Sequence, residues 1–115
     1  MATAERSRRG VALAGAEFGS DRPAFSNKNP GRCGQDYKYN SKRSYEELAS
    51  QGIDLFRLPV RWERLQPNLG GPLDTAELSR LRTAVERAWT AGGKAIIDIH
   101  NFGRYAIDLN GVPYE

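Results

Sequence analysis

With 115 residues, 39% of them hydrophobic and 27% charged, the chain has the composition of a single globular domain; a disordered or membrane-embedded polypeptide would look different. The net charge of +3 draws on Arg6, Arg8 and Arg9 at the start and on Lys28, Arg32, Lys38, Lys42 and Arg43 further along, in irregular segments. That is solvated loop charge and not a compact basic face, so no nucleic-acid partner is expected, and no apolar run approaches the roughly 18 residues of a membrane span.

The single cysteine, Cys33, excludes an intrachain disulfide and a cysteine-based metal cluster; no metal or other cofactor is expected. Residues 1–9 are basic and are not followed by an apolar stretch of signal-peptide length. They read as a flexible N-terminal segment, with the folded domain expected over residues 10–115.

Residues 11–17, Val-Ala-Leu-Ala-Gly-Ala-Glu, form a short apolar run that fits a buried strand. Residues 18–43 show no period of 2 or 3.6 and contain Gly19, Pro23, Pro30, Gly31 and Gly34, which makes them a long loop. Ser44-Tyr-Glu-Glu47 matches a capping box that opens a helix, and Gly52 suits its left-handed end. Residues 53–60, Ile-Asp-Leu-Phe-Arg-Leu-Pro-Val, are the second strand, with Pro59 near its end because proline donates no ladder hydrogen bond.

Residues 61–73 read as a loop, and Asp74 caps a second helix on which Leu78, Leu81, Val85, Ala88 and Trp89 form an apolar stripe. Gly92 and Gly93 stop it. Residues 95–100, Ala-Ile-Ile-Asp-Ile-His, are the third strand.

Strand, helix, strand, helix, strand with apolar strands implies parallel pairing. Both an open doubly wound sheet and a barrel use this order. An open three-stranded sheet needs helices on both faces, and only two helices are available. A barrel needs about 250 residues. The expected fold class is therefore α/β: the N-terminal part, about three β/α units, of a (β/α)₈ TIM barrel, with the chain stopping before the helix that should follow strand three.

In such barrels chemistry sits at the carboxyl ends of the strands. Glu17 closes strand one, Arg57 lies late in an apolar strand two, and Asp98 and His100 alternate on strand three, so they share a face. Either Arg57 is paired with Glu17 or Asp98 as a structural ion pair and His100 is a satisfied core histidine, or the group marks a functional rim. Spacing alone names no reaction.

Four motifs carry a resemblance: Ala14-Gly-Ala-Glu-Phe-Gly19; Phe56-Arg-Leu-Pro-Val60 with Trp62-Glu-Arg-Leu-Gln-Pro67; Gly71-Pro-Leu-Asp74; and Ile97-Asp-Ile-His-Asn-Phe-Gly-Arg-Tyr105. In this order they resemble the glycoside hydrolase family 5 cellulases. The resemblance implies a (β/α)₈ barrel and retaining hydrolysis of β-1,4-glucan by two glutamates on strands four and seven, which this sequence does not contain. It implies supporting catalytic roles for Arg57, which would hold the nucleophile's carboxylate ionised, and for His100, which would hydrogen-bond sugar hydroxyls.

By the same resemblance Asn101 adjoins the substrate or shapes the turn, while Phe18, Trp62 and Tyr105 either stack on glucose rings or pack under a loop. Glu63 reads as structural. Phe102 stands where the family often has tyrosine, and the basic loop over residues 22–43 is longer than expected. The alternatives are a non-catalytic glycan-binding fragment, or action on another β-glycan such as mannan. The implied partner is a β-glucan polysaccharide or oligosaccharide, met outside the cell.

Overall fold

The computed structural model describes residues 7–109 and 112–114. Three parallel strands lie in the order of the sequence: β1 (Gly10–Ala12), β2 (Leu55–Val60) and β3 (Lys94–Ile99). Helix α1 (Lys42–Ser50) connects the first two; the one-turn helix α2 (Trp62–Leu65) and the long helix α3 (Thr75–Thr90) connect the second and third. An antiparallel hairpin, β4 (Ile107–Leu109) with β5 (Val112–Tyr114), follows β3.

The register sorts the sheet's two faces. Val11, Phe56 and Ala95 are aligned across the strands, as are Ala12, Arg57 and Ile96. Phe56, Leu58 and Val60 face the helices and pack with Tyr45 of α1 and Leu81, Ala84 and Ala88 of α3. The Tyr45 and Phe56 rings lie 5.2 Å apart. Phe56 is fully buried, which contributes about 1.5–3 kcal/mol. Gly93 sits so close that a Cβ there would meet the Phe56 ring at 2.7 Å and the Asp54 carbonyl at 2.9 Å. The opposite face carries Arg57, Ile96 and Asp98. No helix among the described residues is long and apolar enough to cross a membrane.

Several boundaries differ from the sequence-based expectation. Strand one was expected over residues 11–17 but ends at Ala12. Leu13 makes one further bond to the Arg57 carbonyl, and then Gly15 (φ 147°) turns the chain, so that Lys38 N donates to the Gly15 carbonyl. Glu17 therefore does not close a strand; its Oε1 accepts from the Gly15 N–H at 2.7 Å.

The first helix starts two residues before the expected capping box. Ser41 is its N-cap, accepting from Ser44 N, while Glu47 pairs with Arg43 across one turn at 2.9 Å. Its end is as expected: Gly52 (φ 92°) donates to Ala49 O and Ile53 to Leu48 O, the paired bonds of a Schellman motif.

On α3 the Asp74 cap accepts from Glu77 N as expected, but the buried stripe is Glu77, Leu81, Ala84 and Ala88. Trp89, one step further round the helix, is 72% exposed. Helix α2 lies within residues 61–73, expected to be a loop, and the hairpin lies after residue 105, where no element is expected. Of the segment expected to be flexible, residues 1–6 lie outside the described residues, while Arg9 receives two bonds from Asp54 N and Leu55 N at its carbonyl.

Candidate functional site

The carboxyl ends of β1, β2 and β3 lie at one edge of the sheet, and the loops that follow them converge there. On the sheet face away from the helices, Arg57 Nη1 donates to Asp98 Oδ2 at 2.7 Å, and His100 Nδ1 lies 2.9 Å from the same oxygen. Of the two acids considered for Arg57, its partner is Asp98. Strand β3 covers residues 94–99 and not 95–100, so His100 stands just past its end, but its N–H still donates to Val60 O and the alternation with Asp98 persists. With Pro59 aligned to Asp98 and Arg57 two residues before it, all three side chains come together. They stay in contact with water: the side chains are 47% (Arg57), 25% (Asp98) and 32% (His100) exposed. A cleft of about 280 Å³ lined by Gly10, Val11, Ala12, Leu55, Arg57 and Ile96 runs from Arg57 towards the amino ends of β1 and β2.

A second polar assembly lies behind this rim and is closed to solvent. The Glu63 carboxylate is fully buried. It accepts from Arg61 Nε and Nη2 at 3.2 and 3.1 Å, from Asn101 Nδ2 at 2.9 and 3.0 Å, and from Ala106 N at 2.8 Å. A buried carboxylate is tolerated only when paired and hydrogen-bonded in this way. Arg61 also donates to the His100 carbonyl at 3.0 Å, which ties the network to the rim. Asn101 is buried: its Oδ1 accepts from Trp62 N and its amide also donates to Arg104 O, so it shapes the turn after β3 from inside the protein.

The long loop after β1 is held by two further buried charges. Arg64 Nε donates to Pro30 O at 2.8 Å and Nη1 to Ala16 O at 2.6 Å, and Nη2 reaches Phe18 O; its guanidinium lies 3.8 Å from the centre of the Tyr37 ring. Burial pushes the Arg64 pKa down, and the neighbouring Tyr37 and Glu77 oppose that shift. Glu77 accepts from Tyr37 Oη at 2.6 Å and Tyr39 Oη at 2.8 Å. Burial, reinforced by Glu77, pushes both phenols well above their ordinary value, so they remain donors.

The aromatic candidates are distributed unevenly. Trp62 and Tyr105 are half-buried and meet edge to face with centroids 5.0 Å apart, Trp62 Nε1 donating to Gln66 Oε1 and Tyr105 Oη to Gln66 O. Burial, with Glu63 nearby, raises the Tyr105 pKa. Phe18 is half exposed. Phe102 is the most open: 82% exposed, with its ring centroid 4.8 Å from that of His100.

The backbone at Phe102 is strained. Its φ is 52°, followed by Gly103 at 75°, and Arg104 N closes the turn onto Asn101 O at 2.9 Å. Two successive positive φ values belong to turns that favour Asn, Asp or Gly, and holding a bulky residue there costs on the order of 1–3 kcal/mol. Glu63 takes the structural place expected from the sequence, but the sequence does not single out Arg61 or Arg64; the burial of these three charged residues around a half-buried Trp62 shows only once loops far apart in sequence close over them.

The family model described as cellulase (glycosyl hydrolase family 5) matches residues 11–113. The chain belongs to glycosyl hydrolase family 5. It is 40% identical over 96 residues to the endo-beta-1,4-glucanase B of Emericella nidulans, covering 84% of this chain and 27% of that relative. It superposes on the endo-beta-1,4-glucanase Xac0029 of Xanthomonas axonopodis pv. citri with a TM-score of 0.75 at 40% identity, covering 84% of this chain and 28% of that one. The Pseudomonas stutzeri endoglucanase Cel5A, solved in complex with cellobiose, gives a TM-score of 0.76 at 36% identity, with 89% and 29% covered. The parallel sheet and its helices are thus an N-terminal portion of the family's (β/α)₈ barrel, and the chain spans less than a third of the length of these relatives.

Proposed function

We propose that this chain forms the first part of a retaining β-1,4-glucan hydrolase whose nucleophile and acid/base glutamates stand on later barrel strands. The observation that carries the reading is the convergence of Arg57 and His100 on Asp98, half open to water at the carboxyl ends of the strands. A guanidinium has five N–H donors, so Arg57 can hold Asp98 through Nη1 and a second carboxylate through others, favouring that group's ionised form and fixing its direction. The contact of His100 Nδ1 with Asp98 orients the ring and leaves Nε2 to meet a sugar hydroxyl.

Phe18, Trp62 and Tyr105 offer ring surface to a glucan chain, while Asn101 acts through the turn that carries His100. Cellulose-type glucan is the substrate we favour over mannan, because the relatives named above are endoglucanases and one was solved with cellobiose. Such a polymer is met outside the cell, so the whole protein is read as secreted.

The test is the complete coding region and its product. It should encode an Asn-Glu-Pro strand and a later glutamate strand, and the product should hydrolyse cellopentaose in preference to mannopentaose, with retention at the anomeric carbon. A complete product that lacks either glutamate, or that prefers mannopentaose, would overturn this reading.

A further inference from the structure

From the strained turn after β3 we infer that Phe102 is a stacking platform for one pyranose ring of the bound glucan, set beside His100. This rests on the reading above and adds a binding residue to it. Three observations point the same way. The ring is 82% exposed, more than any other large hydrophobic side chain among the described residues. It occupies a backbone conformation (φ 52°) that Asn or Gly would adopt at lower cost. A ring open to water on a strained backbone contributes little to folding, which leaves its face free to meet a ligand.

Thirdly, the ring is held in place. Asn101, buried through its bonds to Glu63, Trp62 N and Arg104 O, fixes the turn on one side. The edge contact at 4.8 Å and 64° fixes the Phe102 ring against His100, which is itself held by Asp98. A preorganised aromatic surface loses little freedom on binding. The C–H face of a glucose unit is apolar while its hydroxyls point outward at the ring edge. Stacked on Phe102, such a unit would bring its hydroxyls to His100.

The test compares Phe102→Asn, Phe102→Leu and Phe102→Tyr in the 115-residue chain, reading cellopentaose affinity by calorimetry and stability by thermal melting. Asparagine suits the positive φ, so Phe102→Asn should melt at or above the parent's temperature yet bind about tenfold more weakly. Phe102→Leu should also lose affinity, because it keeps hydrophobicity without the flat ring, and Phe102→Tyr should bind as the parent does. Unchanged affinity in Phe102→Asn would overturn the platform and leave the glucan reading standing. A fall in melting temperature alongside the affinity would make Phe102 a packing residue and overturn it too. If the 115-residue parent gives no binding heat, the same three variants are compared in the product of the complete coding region, where an unchanged KM for cellopentaose in Phe102→Asn overturns the platform and an absence of hydrolysis overturns the glucan reading.

Discussion

Two polar assemblies meet at His100 and differ in almost every physical respect. The one behind the rim, centred on Glu63, is sealed: a fully buried carboxylate takes bonds from Arg61, Asn101 and the Ala106 amide. The one on the rim, Arg57–Asp98–His100, is half open and makes two bonds through one carboxylate oxygen. Buried charges must be fully satisfied, so they lock loops together; exposed ones contribute little to stability and remain available to a ligand. The difference separates what builds the site from what the site presents.

The largest effect should come from breaking the sealed assembly. Glu63→Ala leaves Arg61 buried without its acid and frees the Ala106 and Asn101 donors, and should cost about 3–5 kcal/mol in urea unfolding. A cost under about 1 kcal/mol would mean the network is not what joins the loops after β2 and β3. Next, Arg64→Ala removes the donors to Pro30, Ala16 and Phe18 and should cost on the order of 3 kcal/mol. It should also expose residues 13–41 to limited proteolysis, and a loop that stays resistant would show that Arg64 is not its anchor.

A smaller effect belongs to the tyrosines on Glu77. Tyr37→Phe removes one hydrogen bond to a carboxylate, about 1.5–3 kcal/mol. The pKa shifts give this contact a pH signature. Both phenols titrate higher in the folded chain than in the unfolded one, so their contribution is complete below about pH 10 and is lost as the pH rises towards the folded values. Thermal melts from pH 8 to 11 should fall more steeply in the parent than in a Tyr37→Phe, Tyr39→Phe double variant. Equal slopes would contradict the assignment.

The smallest change in stability, within about 1 kcal/mol, is expected for Arg57→Ala on the open rim. That variant should nevertheless lose cellopentaose binding. A large destabilisation would move Arg57 from the ligand side of the comparison to the scaffold.

The sequence made the open rim more legible than the sealed network. Asp98 and His100 were readable because strand alternation is local and repeats every two residues, and Arg57 because a charge inside Leu-Phe-Arg-Leu stands out. Glu63 and Arg64 sit in one short turn of helix without a side-chain cap, and their meaning depends on partners 34 to 48 residues away, which no local period reveals.

Strand one is shorter than its apolar run because Gly15 turns the chain at a point the run itself does not show. The hairpin could have been read: Asn110-Gly111 between Ile107-Asp-Leu109 and Val112-Pro-Tyr114 is a strong two-residue turn signal. Trp89 falls on the apolar stripe by spacing yet is exposed, because helical spacing defines a stripe only to within one residue. Phe102 differs from the tyrosine frequent in the resembling family by one hydroxyl, and neither its positive φ nor its exposure can be read from residue type.

The central claim is that the open rim meets a glucan chain while the sealed network holds it in shape. His100 is the single histidine of the chain, so its ring protons give an unambiguous signal in proton NMR. Titrating the chain with cellopentaose should shift the His100 Hε1 resonance saturably, and Arg57→Ala should abolish the shift while amide resonances around Glu63 stay in place. A His100 signal that does not move, or one that moves only together with the Glu63 amides, would contradict the account.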